Sequence, residues 1–222
     1  MSDAAAPVQT EPPGIPAGTP SWRLLATLGG AGALAGLLIV LTWRWSTPSI
    51  EAHRAMVLQR AIAEVLMNPA RWDTLYLAGD RLVRQPPANG DARSERVYQG
   101  YDAAGARTGV AITAGEAGFA DVISVIFSFN PGTRRLLAMK VIGSKETPGL
   151  GDRIEKDSAF VRQFRGPSLP LKGVKASTGS DPAEVDVITG ATISSRTVIR
   201  IINNAVNRWQ PRIEAFDREV KP

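Results

Sequence analysis

From Leu24 to Thr42 the chain carries no charged side chain, and Leu, Ala, Gly, Ile and Val dominate the run. Extended to Trp43 it counts 20 residues. As an α-helix that is a rise of roughly 30 Å, the thickness of a bilayer's hydrocarbon core. Trp22 and Arg23 flank one end, and Trp43, Arg44 and Trp45 the other, the aromatic and cationic anchors of a membrane interface. We read residues 22–45 as a transmembrane helix. No small-residue cleavage site is evident, and the segment before the run is long and not basic, so the run reads as a retained anchor rather than a secretory signal. Residues 1–21, rich in Ala, Pro, Gly and Thr, read as a disordered tail.

The remainder suffices for one medium-sized domain. Ser49 to Met67 spaces Ala55, Met56, Leu58, Ile62, Val65 and Leu66 as a helix, ended by Pro69, so 46–75 reads as a linker helix and 76–222 as the domain. Strands are expected at Tyr76–Val83, Arg96–Tyr101, Thr108–Thr113, Val122–Asn130 and Leu136–Ile142, the last two joined by Pro131-Gly132 as a hairpin. Gln85–Asp91, with Asn89-Gly90, reads as a turn, and Gly115–Asp121 as a loop holding Phe119. Asp152–Phe164 reads as one helix. Ser194–Trp209 reads as an amphipathic helix with Val198, Ile201, Ile202, Ala205, Val206 and Trp209 in one stripe, ended by Pro211. The fold class is therefore α+β: a single N-terminal transmembrane helix followed by one mixed α/β domain.

Composition removes several chemistries. There is no cysteine and one histidine, His53, so thiol nucleophiles, iron–sulfur clusters and zinc–thiolate sites are excluded. His53 follows the apolar run directly and reads as an exposed stem residue. The net charge of +5 is scattered, with no basic run interleaved with aromatics, so nucleic acid is not an expected partner. No catalytic constellation and no metal site are expected.

The informative segment is Asp186-Val-Ile-Thr-Gly-Ala-Thr192, followed by Ile193-Ser194-Ser195. A strand-like stretch turns through Gly190 and Ala191 directly into a helix. The free N–H groups of that helix start favour an anion. On the residues alone the simpler reading is favoured, with Thr192 and the two serines as ordinary N-caps of the helix.

Asp186, Thr189, Gly190, Ala191 and Thr192 resemble the flavinylation motif of the FMN-binding domain family. Lys145-Glu-Thr-Pro-Gly-Leu-Gly-Asp152, about forty residues earlier, resembles the family's second signature. The resemblance implies an FMN esterified through its phosphate to the Thr192 hydroxyl by a flavin transferase. It also implies a loop beside the flavin in which Pro148 and Gly149 fix a turn. In that loop Glu146 and Thr147 hydrogen-bond the ribityl chain or ring and Leu150 packs on the ring face. Lys172 and Lys175 lie where a basic residue could neutralise the phosphate, and read equally as exposed lysines with no such role. Ser144 stands where family members often carry histidine.

Layout and motifs together resemble the G subunits of Rnf-type electron transport complexes, over roughly His53 to Trp209. That resemblance implies an electron-carrying subunit of a membrane complex coupling ferredoxin/NAD electron transfer to ion translocation. Its partners are the other subunits, the transferase and the lipid bilayer. It implies a bacterial inner membrane with the flavin domain on the periplasmic side. The charge count points the other way, since Arg23 alone precedes the run while Arg44, Arg54 and Arg60 follow it. Two other readings stand beside it: the C subunit of the sodium-pumping NADH:quinone reductase, and a flavin-free anchored assembly module.

Overall fold

The computed structural model describes residues 21–87 and 95–220. The expected tail and the Asn89-Gly90 turn lie outside the described residues. The chain divides into two compact units after Ala52. The first unit is helical throughout its described part, which belongs to α1 (Ser21–Val65). Its leucines and Ile39 are exposed, and this one helix is long and apolar enough to cross a membrane.

The second unit begins with the last turns of α1, where Ala61, Ile62 and Val65 are buried, while His53 is exposed. Asn68 and Met67 take positive φ just after the helix, and Pro69 follows. Six strands come next: β1 (Arg71–Ala78), β2 (Arg81–Val83), β3 (Arg96–Tyr101), β4 (Arg107–Ala117), β5 (Val122–Asn130) and β6 (Arg135–Gly143). They form one antiparallel sheet in the order β2-β1-β3-β4-β5-β6. The expected single strand over Tyr76–Val83 is instead the turn of the β1–β2 hairpin. Gly79, at φ +64°, reverses the chain with Asp80, and Tyr76 pairs with Val83.

Beyond the sheet lie α2 (Arg153–Lys156), α3 (Ser158–Arg162), β7 (Lys172–Val174), β8 (Glu184–Asp186) and α4 (Thr192–Val220). The helix expected over Asp152–Phe164 is broken at Asp157. That residue is extended, and its carboxylate accepts from the Ala159 and Phe160 N–H groups, starting a new helix. α4 runs past Pro211 to Val220, further than expected. Ile213 and Phe216 beyond the proline are buried, and Asp217 pairs with Arg107 at 2.5 Å, so tertiary contacts outweigh the missing N–H.

The two-residue period of the strands sends side chains to two cores. Ile123, Val125, Phe127 and Phe129 of β5 join Val198, Ile201, Ile202 and Trp209 of α4 on one face. Ile126 of β5, Ala111 of β4 and Tyr98 of β3 meet Ile62, Val65 and Leu66 on the other. Ser128, fully buried, donates its hydroxyl to the Val65 carbonyl and ties the end of α1 to the sheet. The expected α4 stripe is buried as a unit. This sandwich leaves the top of α4, the β4–β5 turn and the loop after β6 at one end of the domain.

Candidate functional site at the start of the last helix

Those three segments enclose a half-open cavity of about 310 Å³. Phe119 comes from the β4–β5 turn; Glu146, Thr147, Leu150 and Gly151 from the loop after β6. Gly190, Ala191, Thr192, Ile193 and Ser194 come from the start of α4. The two sequence motifs are thus brought together in space, and the β4–β5 turn completes the wall.

Leu150 is held by a tight turn in which its N–H donates to the Thr147 carbonyl at 3.2 Å, with Gly149 at φ +78°. Gly190, at φ +85°, supplies the other turn, and the Ala191 N–H donates to the Ile188 carbonyl at 3.0 Å. Around the mouth Phe119 (67 % exposed), Leu150 (51 %) and Ile193 (55 %) leave an apolar rim in water. Large apolar side chains converging on one opening mark a ligand site rather than scattered surface.

The hydroxyls at the helix start differ sharply. Ser195 is buried, donates to the Ala191 carbonyl at 2.8 Å and accepts from the Ile188 N–H at 3.2 Å. Ser194 is buried and donates to Glu146 Oε2 at 2.7 Å. Neither is an N-cap; both are staples inside the first turn. Thr192 is half-buried, lines the cavity and makes one long contact, 3.5 Å to the Ile188 carbonyl. Its oxygen stands at the N-terminus of a 29-residue helix, whose first N–H groups and dipole favour an anion.

Glu146 is 5 % exposed, and protein donors engage both of its oxygens. Oε1 accepts from the Phe119 N–H at 2.9 Å, the Ala120 N–H at 3.0 Å and the Asp121 N–H at 3.5 Å. Burial pushes its pKa up, but the Ser194 hydroxyl and these N–H groups outweigh that and hold it below the ordinary value. The carboxylate is therefore a structural tie between two walls of the cavity. Glu146 also lines the cavity, and Oε2, with the Ser194 hydroxyl as its one donor, keeps acceptor capacity.

The other expected residues divide. Thr147, Leu150, Gly190 and Ala191 line the cavity, and Gly149 shapes its loop. Thr189 is exposed beside it, its carbonyl accepting from Arg153 at 3.3 Å. Asp186 lies on β8, where its N–H donates to Gln163 at 2.6 Å and its carboxylate accepts from the Ser177 N–H. It braces the strand that feeds the turn. Lys175 is exposed and outside the lining, and Lys172 pairs with Asp181 at 2.7 Å. Phe119 and Ser194 belong to the site without having been assigned to it. The glycines around Phe119 were the available signal, but nothing in spacing says that a turn 27 residues upstream of Glu146 folds against it.

An apolar half-open cavity at a helix N-terminus suits an aromatic ring that carries a phosphate. Residues 118–207 match the family model of the FMN-binding domain. The match runs from the β4–β5 turn into α4 and so contains all three walls. Over most of its length the chain resembles proteins named as the G subunit of an ion-translocating oxidoreductase complex. It is 28 % identical to that of Pseudoalteromonas atlantica, covering 81 % of this chain and 83 % of the relative. It is 24 % identical to that of Methanosarcina acetivorans, covering 83 % and 92 %. Among solved structures it is similar in fold to NqrC of Shewanella oneidensis, with a TM-score of 0.62, 17 % identity, and coverage of 74 % of this chain and 99 % of that one.

Proposed function

We propose that the chain is a membrane-anchored electron-transfer subunit that carries FMN esterified to Thr192. It would belong to an Rnf-type complex coupling ferredoxin/NAD electron transfer to ion translocation. The observation that carries this reading is Thr192 itself: a cavity-lining hydroxyl with one long hydrogen bond, at the N-terminus of α4, inside an FMN-binding domain. The relatives named as the G subunit of an ion-translocating oxidoreductase complex support the assignment to a multi-subunit partner set. The apolar run of α1 supports the anchor.

Attachment needs an activated flavin nucleotide, since FMN alone would have to expel hydroxide. With a pyrophosphate-linked donor and a flavin transferase, Thr192 Oγ1 attacks the flavin-bearing phosphorus. The new P–O bond forms as the pyrophosphate P–O bond breaks, the hydroxyl proton goes to solvent, and a nucleoside monophosphate leaves. Nothing is oxidised or reduced. The phosphodiester keeps its negative charge, which the helix start favours.

Bound flavin supplies the redox chemistry, accepting and returning electrons. The chain's own residues shape the seat: Phe119, Leu150 and Ile193 offer apolar contact, and Glu146 and Ser194 fix the wall. A site this open makes a covalent link useful, since it removes the dissociation equilibrium. Periplasmic placement of the domain, in a bacterial inner membrane, follows the family resemblance rather than the arginine count. The fold likeness to NqrC is compatible with the C subunit of a sodium-pumping NADH:quinone reductase, and the named relatives favour the first reading.

Co-expression with a flavin transferase, followed by a denaturing gel under ultraviolet light, tests the reading. A fluorescent band that Thr192→Ala abolishes is expected. A dark wild-type band in the presence of active transferase would replace it with the flavin-free assembly module.

A further inference from the structure

Four hydrogen bonds converge on one buried side chain at the cavity wall. Through Oε1, Glu146 gathers the N–H groups of Phe119, Ala120 and, at longer range, Asp121; through Oε2 it takes the Ser194 hydroxyl. We propose that Glu146 is the positioning residue of the flavin site: its carboxylate locks the β4–β5 turn to the first turn of α4, and its fixed charge holds the flavin's reduction potential down. This rests on the reading of the cavity as the FMN seat.

Two glycines give the carboxylate its room. A Cβ on Gly118 would fall 2.4 Å from Oε1, and one on Gly151 would fall 2.6 Å from Oε2 and 2.7 Å from the Glu146 Cβ. Both neighbours must therefore be glycine for the group to fit. The turn it holds carries Phe119, whose ring forms one side of the mouth. The Ser194 it holds is two residues from Thr192. One side chain thus sets the distance between the attachment point and the apolar wall facing it.

An acceptor-only group with three N–H donors and a hydroxyl donor is a carboxylate stabilised in its charged form. Lys145, next to Glu146 in sequence, pairs instead with Asp121 at 3.5 Å, both exposed. No cation among the described residues forms a salt bridge with Glu146, so its charge is held by hydrogen-bond dipoles and keeps a net −1 at the wall. A fixed negative charge beside a ring that takes up electrons disfavours the reduced form.

The test uses the full chain, flavin-loaded, in detergent. Glu146→Gln keeps an acceptor for the turn and offers an N–H₂ to Ser194 Oγ, so the lock persists without the charge. Its flavin should show wild-type visible circular dichroism and fluorescence anisotropy, with a reduction potential shifted to more positive values. An unchanged potential overturns the electrostatic role. Glu146→Ala breaks the lock, and its flavin should lose anisotropy and change its visible dichroism; wild-type values overturn the positioning role. Ser194→Ala, milder for folding, should lower anisotropy without the potential shift of Glu146→Gln, and an equal shift would overturn the separation of the two roles. A wild-type chain that takes up no flavin would instead sink the underlying reading before any variant is compared.

Discussion

Replacing Gly151 by alanine should damage the domain far more than the same change two residues earlier. The new methyl would lie 2.6 Å from Glu146 Oε2, 2.7 Å from the Glu146 Cβ and 3.1 Å from Ser194 Oγ. The Cβ contact is with a backbone-anchored atom that cannot swing aside. Overpacking of this kind costs about 1–3 kcal/mol. Moving Glu146 also breaks its bond from Ser194, roughly another 1.5–3 kcal/mol for a buried bond to a charged group. The sum, about 2.5–6 kcal/mol, corresponds to a fall in Tm of roughly 5–24 °C for a domain of this size. Gly149→Ala meets nothing within 4 Å, and its cost is the strain of φ +78° alone. That strain is about 1–2 kcal/mol, or a few degrees. Thermal unfolding of the full chain in detergent, followed by near-ultraviolet circular dichroism, measures both. Equal losses at the two positions, or a neutral Gly151→Ala, would refute the packing argument.

Glu146 adds a pH dependence. Its pKa in the folded chain lies below the ordinary value of 4.5, so its contribution is complete above about pH 4.5 and is lost as pH falls through the depressed value. The Tm advantage of the wild type over Glu146→Gln should therefore shrink on acidification, as unfolding curves from pH 7 to pH 3 would record. Ser128→Ala leaves the buried Val65 carbonyl without its donor and should cost about 1–3 kcal/mol, read from urea unfolding. Phe216→Ala should cost about 3–5 kcal/mol by the same measurement, because that ring packs the part of α4 beyond Pro211 into the core. Thr192→Ser should keep in-gel flavin fluorescence, since it retains a hydroxyl at the same place, whereas Thr192→Val should lose it.

The period-two pattern of Val122–Asn130 and the stripe from Val198 to Trp209 were legible in the sequence, because burial on one face dictates them directly. That the two motifs share one site came from the family resemblance and not from any pattern of burial. Pro211 misled because its local cost is visible in sequence, while the burial of Ile213 and Phe216 that offsets it is not. Asp157 reads as an ordinary polar residue inside a helical pattern; only its carboxylate on the next N–H groups shows it to be a cap. The ligand-contact role expected of Glu146 came from the family resemblance of its loop, and its second role as a tie was not visible there. Its commitment to Phe119, Ala120 and Ser194 depends on a strand turn far away in the chain, which no local pattern encodes.

The central claim is the ester at Thr192, and intact-mass spectrometry of the chain isolated with its transferase tests it most directly, with fragmentation of the peptide spanning Asp186 to Arg196. The expected result is a mass increase equal to FMN less one water, localised to Thr192 and absent from Thr192→Ala. An unmodified mass in the presence of active transferase, or the same increment on another residue, would contradict it.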